Sequence, residues 1–221
     1  KFIKTALERS FKTMERLDIV LDSTTDAALL NGKEFHEMFL EMMQLSHLKM
    51  SFEKSKISSQ GVSLLISSIA SIAGNLENLD LNFNNTKTED KSLEIFRTKM
   101  IPSLNKLKSF KLALGKTGLS NKIMTKFFQD LKDITKNLTI FELDLHDTCL
   151  NNPALAQFLK NTLKEMPSLQ NLKLNLRRTK ITHEGFKHFC LEAPDMKSVV
   201  LSLNETNIND QSLEILKKRI V

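Results

Sequence analysis

The segment Leu107-Lys-Ser-Phe110-Lys-Leu112-Ala-Leu114 decides the fold. Its spacing, LxxLxLxL, recurs in the same phase at residues 76–83, 138–145 and 169–176, and more loosely at 14–21, 45–52 and 196–203. Repeats therefore start near residues 14, 45, 76, 107, 138, 169 and 196, with five intervals of 31 residues and a last one of 27. All 28 signature positions are apolar, which at 41% apolar composition has a chance probability on the order of 10⁻¹¹. The alternation predicts seven half-buried strands.

A small hydroxyl residue follows each strand signature by three positions. The seven residues are Thr24, Ser55, Thr86, Thr117, Thr148, Thr179 and Thr206. The chain leaves the sheet here, so backbone groups lose their ladder partners, and a buried hydroxyl can bond one of them. We therefore expect these hydroxyl groups to be buried in the turns.

Polar helix-start residues come next, at Ser59, Asp90, Asn121, Asn152, His183 and Asp210. Asn152 precedes Pro153, which is the order of an N-cap and a first helical residue. Apolar residues then follow at helical spacing, and we expect them to be buried. They are Val62, Leu65, Ile66, Leu93, Phe96, Met124, Phe127, Phe128, Leu155, Phe158, Leu159, Phe186, Phe189, Cys190, Leu213, Leu216 and Ile220. Each unit is therefore a strand, a turn, a helix and a return segment.

Strands that are joined through helices run parallel to one another. A parallel sheet covered on both faces has continuously apolar strands, whereas these strands alternate, so one face of the sheet is open to solvent. Right-handed crossovers stack such units about 4.8 Å apart, with the helices outside a curved solenoid and the open strand face inside it. The predicted fold class is an α/β solenoid with concave strands and convex helices.

This pattern resembles the leucine-rich repeat family, specifically the long-repeat subclass of ribonuclease inhibitor and the Ran GTPase-activating protein. The signature LxxLxLxLxxTxI at a 31-residue period carries the resemblance, which covers essentially the whole chain. The strand signature is two residues longer than the usual LxxLxL, and Thr or Ser stands where that subclass has Asn or Cys. The resemblance implies a horseshoe-shaped solenoid.

The repeats predict a single domain over residues 1–221. Residues 1–13 carry Phe2, Ile3, Ala6, Leu7 and Phe11 at helical spacing, and we interpret them as the helix of a preceding partial repeat. Neither end carries a specialised cap, which a solenoid normally has. The chain is therefore expected to be part of a longer protein.

Composition excludes several classes of function. The longest weakly polar stretch, residues 62–74, is shorter than the roughly 20 apolar residues that span a bilayer. Six glycines form no phosphate-binding fingerprint, and two cysteines cannot build a disulfide framework or a four-ligand zinc site by themselves. We expect no cofactor, no metal site and no membrane partner, and two lone cysteines suit a cytoplasmic protein. Association with the cytoskeleton or a cilium is a further expectation.

The alternation assigns three residues per strand to the concave face. Within these 21 residues, six are acidic and four are basic, although the whole chain carries a net charge of +6. The candidate partner-binding residues of the concave face are Asp80, Asn82, Lys111, Glu142, Asp144, His146, Lys173, Asn175 and Arg177. The excess positive charge must lie elsewhere.

Basic residues flank the hydroxyl positions of the turns. We call them the basic rim: Lys54, Lys56, Lys87, Lys116, Arg178 and Lys180. Asp147 and Glu205 oppose them, so this edge carries six positive and two negative charges. A basic edge of this kind favours an acidic protein segment as partner, although a charge run can also be a solvated face.

Some residues invite a catalytic interpretation. Glu142, Asp144 and His146 project from one strand, as an acid–base pair or a metal site requires. In a register-matched sheet, however, Glu142 lies between Lys111 and Lys173, which favours ion pairing. We predict no catalytic residues.

The two cysteines have simpler explanations. Cys190 falls on the buried stripe of its helix, so its spacing to His183 and His188 does not indicate a ligand set. Cys149 lies in a turn with no histidine placed to activate it.

Three classes of function remain open. The first is a non-catalytic protein-interaction or scaffold module, because 21 outward residues match one side of a standard interface. The second is a GTPase activator, by analogy with the Ran GTPase activator alone. The third is nucleic-acid binding, which is disfavoured because the concave face carries no aromatic stacking platform.

Overall fold

A computed structural model describes residues 8–25, 32–192, 195–212 and 214–215. The seven strands are β1 (Arg16–Val20), β2 (His47–Ser51), β3 (Asn78–Asn82), β4 (Ser109–Ala113), β5 (Ile140–Asp144), β6 (Asn171–Asn175) and β7 (Ser198–Ser202). The α-helices are α1 (Gly32–Glu41), α2 (Ser59–Ala70), α3 (Asp90–Ile95), α4 (Asn121–Asp130), α5 (Asn152–Asn161) and α6 (His183–Glu192). Short 3₁₀ segments and one π-helical segment, Phe96–Met100, complete the return paths.

The strands form one parallel sheet in the order β1 to β7. Leu48 is level with Leu79, and Leu79 is level with Phe110, so the same position of each repeat aligns across the sheet. Parallel strands that alternate with helices in an open sheet make an α/β solenoid, as the sequence predicted. This architecture is consistent with the leucine-rich repeat resemblance.

The apolar columns of the strands and the helical stripes close into one core. Every expected helical residue in the described ranges is buried, including Cys190, which is 2% exposed. Phenylalanines join the layers: Phe141 of β5 contacts Phe110 of β4 at 5.8 Å and Phe158 of α5 at 5.7 Å between ring centroids. Leu213, Leu216 and Ile220 lie outside the described residues.

The seventh repeat departs from the expected burial. Val199 aligns with Leu172, which is 1% exposed, yet Val199 is 43% exposed. Val199 lies on β7, the last strand of the sheet in the described residues, and no described strand covers its far side. At the other end, the 3₁₀ helix Glu8–Thr13 buries Phe11 fully. Residues 1–7 of the predicted N-terminal helix lie outside the described residues.

Most of the turn hydroxyls bond backbone groups as expected, but Thr24, Thr117 and Thr206 are half-buried rather than buried. Oγ1 of Thr86, Thr148 and Thr179 each donates to the carbonyl three residues earlier at 2.7 Å, and these three residues are buried. Thr117 and Thr206 make the same bond at 2.5 and 2.6 Å. The hydroxyl therefore satisfies a carbonyl that leaves the sheet.

Every turn also holds one residue in the left-handed region, at φ between 54° and 59°, and none of them is glycine. They are Ser23, Lys54, Asn85, Lys116, Asp147, Arg178 and Glu205. A side chain in this region costs roughly 1–2 kcal/mol. Each of the first six donates its backbone N–H to a carbonyl of the next repeat, at 2.7–3.0 Å. The inter-repeat ladder thus continues from the strands into the turns.

Helices α2 to α6 begin at the expected residues, but in α2, α4 and α5 the capping side chain lies one residue earlier. Asn151, not Asn152, accepts the bond from the N–H of Ala154. The side chain of Asn152 instead bonds Thr182 of the next repeat, accepting from its N–H at 3.0 Å and donating to its hydroxyl at 2.7 Å. The residue after the cap therefore ties neighbouring repeats together.

The register predicts a sharp contrast in stability between adjacent residues of β6. Leu174 is 1% exposed, so Leu174→Ala should lower the free energy of unfolding by roughly 2–5 kcal/mol through lost transfer energy and a cavity. Asn175 lies on the open face, and Asn175→Ala should change it by no more than about 0.5 kcal/mol. Urea denaturation measures both variants, and equal losses would contradict the strand register.

Candidate functional site

The concave face is organised in columns that run across the strands. The column through the middle of each strand reads Asp18, Lys49, Asp80, Lys111, Glu142, Lys173 and Val200. Its charges alternate in sign over six neighbouring strands. Because adjacent strands lie about 4.8 Å apart, each charge is next to opposite charges only.

Close ion pairs form within this column. Glu142 Oε1 lies 2.6 Å from Lys111 Nζ, and Glu142 Oε2 lies 3.8 Å from Lys173 Nζ. Glu142 therefore lies between the two lysines, as the predicted register requires. A partner could bind any of these three side chains only by competing with bonds that the protein already makes.

Asp80 differs from Glu142, since it makes no ion pair within the described part of the chain. Burial raises the pKa of its carboxyl above the usual value of 3.8, whereas Lys49 and Lys111 oppose that shift by attraction. Among the described residues, Asp80 is the carboxylate of the column without an ion pair, because Asp18 pairs with Arg16 and Glu142 pairs with Lys111.

A hollow lies at the centre of the concave face. Its lining includes the small residue Ala113 of β4, and its volume is about 300 Å³. Asn84 crosses this region, donating Nδ2 to Asp144 Oδ2 at 3.0 Å, while its Oδ1 accepts from the N–H of Gly115 at 2.6 Å. His146 covers Gly115 from the other side. The hollow therefore has a fixed, hydrogen-bonded wall.

The Asp144–His146 pair does not extend to a nucleophile. His146 Nδ1 lies 2.7 Å from Asp144 Oδ1, and no hydroxyl or thiol of a described residue bonds the imidazole. No group of three or more potential metal ligands occurs among the described residues. Cys149 is half-buried, and its Sγ lies 3.1 Å from the carbonyl of Leu119. The pair holds the wall of the hollow in place.

All six residues of the basic rim are exposed. Two of them are engaged: Lys54 pairs with Glu53 at 3.0 Å, and Arg178 Nε donates to Glu205 Oε2 at 2.6 Å. Arg177 also pairs with Glu205, at 3.2 Å, and the hydrogen bond from Arg178 lowers the pKa of that carboxyl. The rim is less positive than the count of its charges indicates.

The other four rim residues make no ion pair with any described residue. They are Lys56, Lys87, Lys116 and Lys180, which we call the unpaired rim lysines. Lys56, Lys87 and Lys116 follow three successive strands, β2, β3 and β4. Lys180 is separated from them by the turn after β5, where Asp147 lies 3.8 Å from Arg178.

The sequence interpretation missed a fourth column of the concave face, which lies two residues before the charged column. It reads Arg16, His47, Asn78, Ser109, Ile140, Asn171 and Ser198. Extending the same alternation by one step would have found it. Arg16 of this column bonds Asp18 at 2.8 Å, so it is engaged as well.

Comparisons with known proteins give similarities to solved structures. No protein-family model matches the chain, and no curated protein matches it. The chain is similar to an internalin C2 structure from Listeria monocytogenes, with 16% identity, a TM-score of 0.43, and coverage of 81% of this chain and 71% of that one. It is also similar to an internalin F structure from the same organism, with 14% identity, a TM-score of 0.24, and coverage of 98% and 91%. Both similarities are too low to assign a partner.

No helix within the described ranges combines the length and the apolar character that crossing a bilayer requires.

We expect that a glycine is needed at position 115 only because the side chain of His146 packs against it. A Cβ at Gly115 would clash with the imidazole ring of His146, whereas the backbone φ of Gly115 is not positive. Gly115→Ala should therefore lower the free energy of unfolding by about 1–3 kcal/mol through overpacking. In the His146→Ala background the same change should cost less than about 0.5 kcal/mol. A double-mutant cycle in urea measures the difference, and additivity would contradict this packing.

Asp80 should make the protein less stable at neutral pH than at acidic pH. A carboxyl whose pKa is raised on folding favours the folded state when protonated, and this contribution is lost as the pH rises above the unfolded value. Asp80→Asn should therefore raise the free energy of unfolding at neutral pH, with an advantage that disappears below about pH 3.8. Urea denaturation at several pH values measures this. The exposed Asp133→Asn is the control, and an equal gain from it would contradict the role of burial.

Proposed function

We propose that this chain is a non-catalytic protein-binding module, which contacts a protein partner through its concave face and basic rim within a larger protein or assembly. One observation carries the proposal. The charges of the concave face are mostly bonded to one another, whereas four rim lysines beside that face are exposed and unpaired. Unpaired charges of the same sign do not stabilise the fold, so we interpret these lysines as residues that bind a partner of opposite charge.

The area of the face supports a protein as the partner. The seven strands and the turns after them place 28 residues on this face, four per repeat, of which Ser51, Asn84, Ser109 and Gly115 are buried. A standard interface uses about 20–30 residues per side. The chain has no Trp and no Tyr, which are the commonest hot-spot residues. Binding would therefore depend on charged and amide side chains, and it should weaken as the salt concentration rises.

Neither alternative gains support from a contact in the structure. An arginine finger needs a guanidinium that is free to reach a nucleotide, yet Arg177 and Arg178 are both bonded to Glu205. Nucleic-acid binding needs a basic surface that follows the phosphates, and the lysines border a face rich in carboxylates.

Two free cysteines, Cys149 and Cys190, agree with a cytoplasmic location.

Charge reversal at the rim should abolish partner binding without unfolding the protein. Lys56, Lys87 and Lys180 are exposed and make no ion pair, so their combined replacement by Glu leaves the core and the turn hydrogen bonds intact. Affinity capture from an extract of the source cells, with quantitative mass spectrometry, should show loss of the partner that the parent protein retains.

The control is a triple variant on the convex side, Lys122→Glu, Lys132→Glu and Lys136→Glu. These residues are also exposed, and the change in net charge is the same. The control should still capture the partner. Equal capture by the rim variant and the parent would show that the rim is only a solvated edge.

A further inference from the structure

The free positive charge of the rim is concentrated in three successive turns. Lys56, Lys87 and Lys116, which we call the lysine cluster, follow β2, β3 and β4. The preceding turn presents the neutral Thr25, and the following turn presents Asp147, which lies close to Arg178. The positive charge of the lysine cluster is therefore bounded on both sides, and it covers only three of the seven turns along this edge.

Backbone hydrogen bonds fix the spacing of these turns. The N–H of Lys54 donates to Asn84 at 3.0 Å, and the N–H of Asn85 donates to Gly115 at 2.7 Å, so the three turns are joined in register. Lys56 itself donates its N–H to the carbonyl of Thr24 at 2.9 Å. Hydrogen-bonded chains lie about 4.8 Å apart, so the three turns span about 10 Å. Lys116 holds the left-handed position of its turn, two residues before the position that Lys56 and Lys87 share, so the three lysines do not form a straight row.

This spacing discriminates between the shapes that an acidic partner segment can take. An α-helix rises about 5.4 Å per turn, so three acidic residues at i, i+4 and i+7 span about 11 Å on one face. An extended strand places alternate side chains about 6.6 Å apart, so three acidic residues of one face span about 13 Å. The helix is the closer match to the cluster.

The surroundings of the cluster disfavour a long uniform polyanion. Glu53 and Glu89 are close in sequence to the lysines, and Asp147 borders the last of them, so a phosphate chain that continues past the cluster meets negative charge. A helix with one short acidic stripe avoids this repulsion. No aromatic residue of the described turns offers a stacking surface for bases.

We infer that the partner presents an α-helix with one acidic side chain per turn, which lies across the turns after β2, β3 and β4 and places a carboxylate opposite each of Lys56, Lys87 and Lys116. This inference rests on the proposed function, because it names the chemistry of the partner at the same rim. The helix would run along the rim, nearly perpendicular to the strands.

Three peptides of equal charge test the inference. The first is a capped alanine–glutamine peptide of about 16 residues with glutamates at i, i+4 and i+7, a length at which isolated helices are marginally stable. The second has the same composition with its glutamates spread around the helix. The third repeats the first with a central proline that breaks the helix. Circular dichroism verifies their helicity, and amide chemical shifts of the whole chain at low ionic strength measure their binding.

The first peptide should bind about tenfold more tightly than either of the others, a modest ratio because exposed ion pairs are individually weak. Its shifts should be centred on Lys56, Lys87 and Lys116. The triple variant Lys56→Glu, Lys87→Glu and Lys116→Glu should lose the binding. Glutamate fits the left-handed position of Lys116, because Glu205 occupies the same position at φ 58°.

The contrary outcomes separate this inference from the proposed function. Equal binding of all three peptides would overturn the helical geometry while leaving the basic rim as a protein-binding surface. Tighter binding of a thymidine oligonucleotide than of the first peptide would overturn it in favour of nucleic acid. Absence of binding by every peptide would also overturn it, whereas the proposed function would fail only if rim reversal left partner capture unchanged.

Discussion

The fold depends on a backbone ladder that continues in register from the strands into the turns. In each of the first six repeats, a residue in the left-handed region donates its N–H to the next repeat. The following hydroxyl residue closes most of these turns by bonding the carbonyl three residues earlier. Without this conformation the chain could not leave the sheet and still keep its neighbours aligned. The cost of roughly 1–2 kcal/mol per non-glycine residue is offset by a hydrogen bond in each turn.

In this register, equivalent positions of adjacent repeats are neighbours, so the sign of the charge at one position limits the sign that the next repeat can carry there. A column of identical charges would place like charges about 4.8 Å apart, which is unfavourable in a partly buried face. The central column of the concave face avoids this by alternating in sign, and Glu142 bonds the lysines on both sides. The basic rim does not alternate, since Lys56 and Lys87 occupy equivalent positions of adjacent repeats. This contrast separates charges that hold the face together from charges that are available to a partner.

The sequence was sufficient for the features that depend on spacing. Strand phase, the apolar columns, most of the turn hydroxyls and the first residues of helices α2 to α6 follow from periodicity, and the structure agrees with them. The left-handed residues could not be predicted, because Ser, Lys, Asn, Asp, Arg and Glu all occupy that position. Asn151 and Asn152 are both good caps, and only the geometry of the turn decides which one caps and which one bonds Thr182. The exposure of Val199, on the last described strand, does not follow from a repeat pattern that treats every unit alike.

The ion pairs among the rim charges also could not be predicted from the sequence, and the reason is relevant to partner binding. Charge counting treated the arginine and the lysines of the rim alike, but the planar guanidinium of Arg178 has several donors and reaches Glu205 and Asp147 together. A lysine carries one compact charge on a flexible stem, and it stays solvated unless a carboxylate is close. The residues that specify the fold are the apolar columns and the turn hydroxyls, whereas exposed rim residues such as Lys56 and Lys87 can change with little effect on either. A solenoid of this type can therefore carry a binding surface on its rim at almost no cost to its stability.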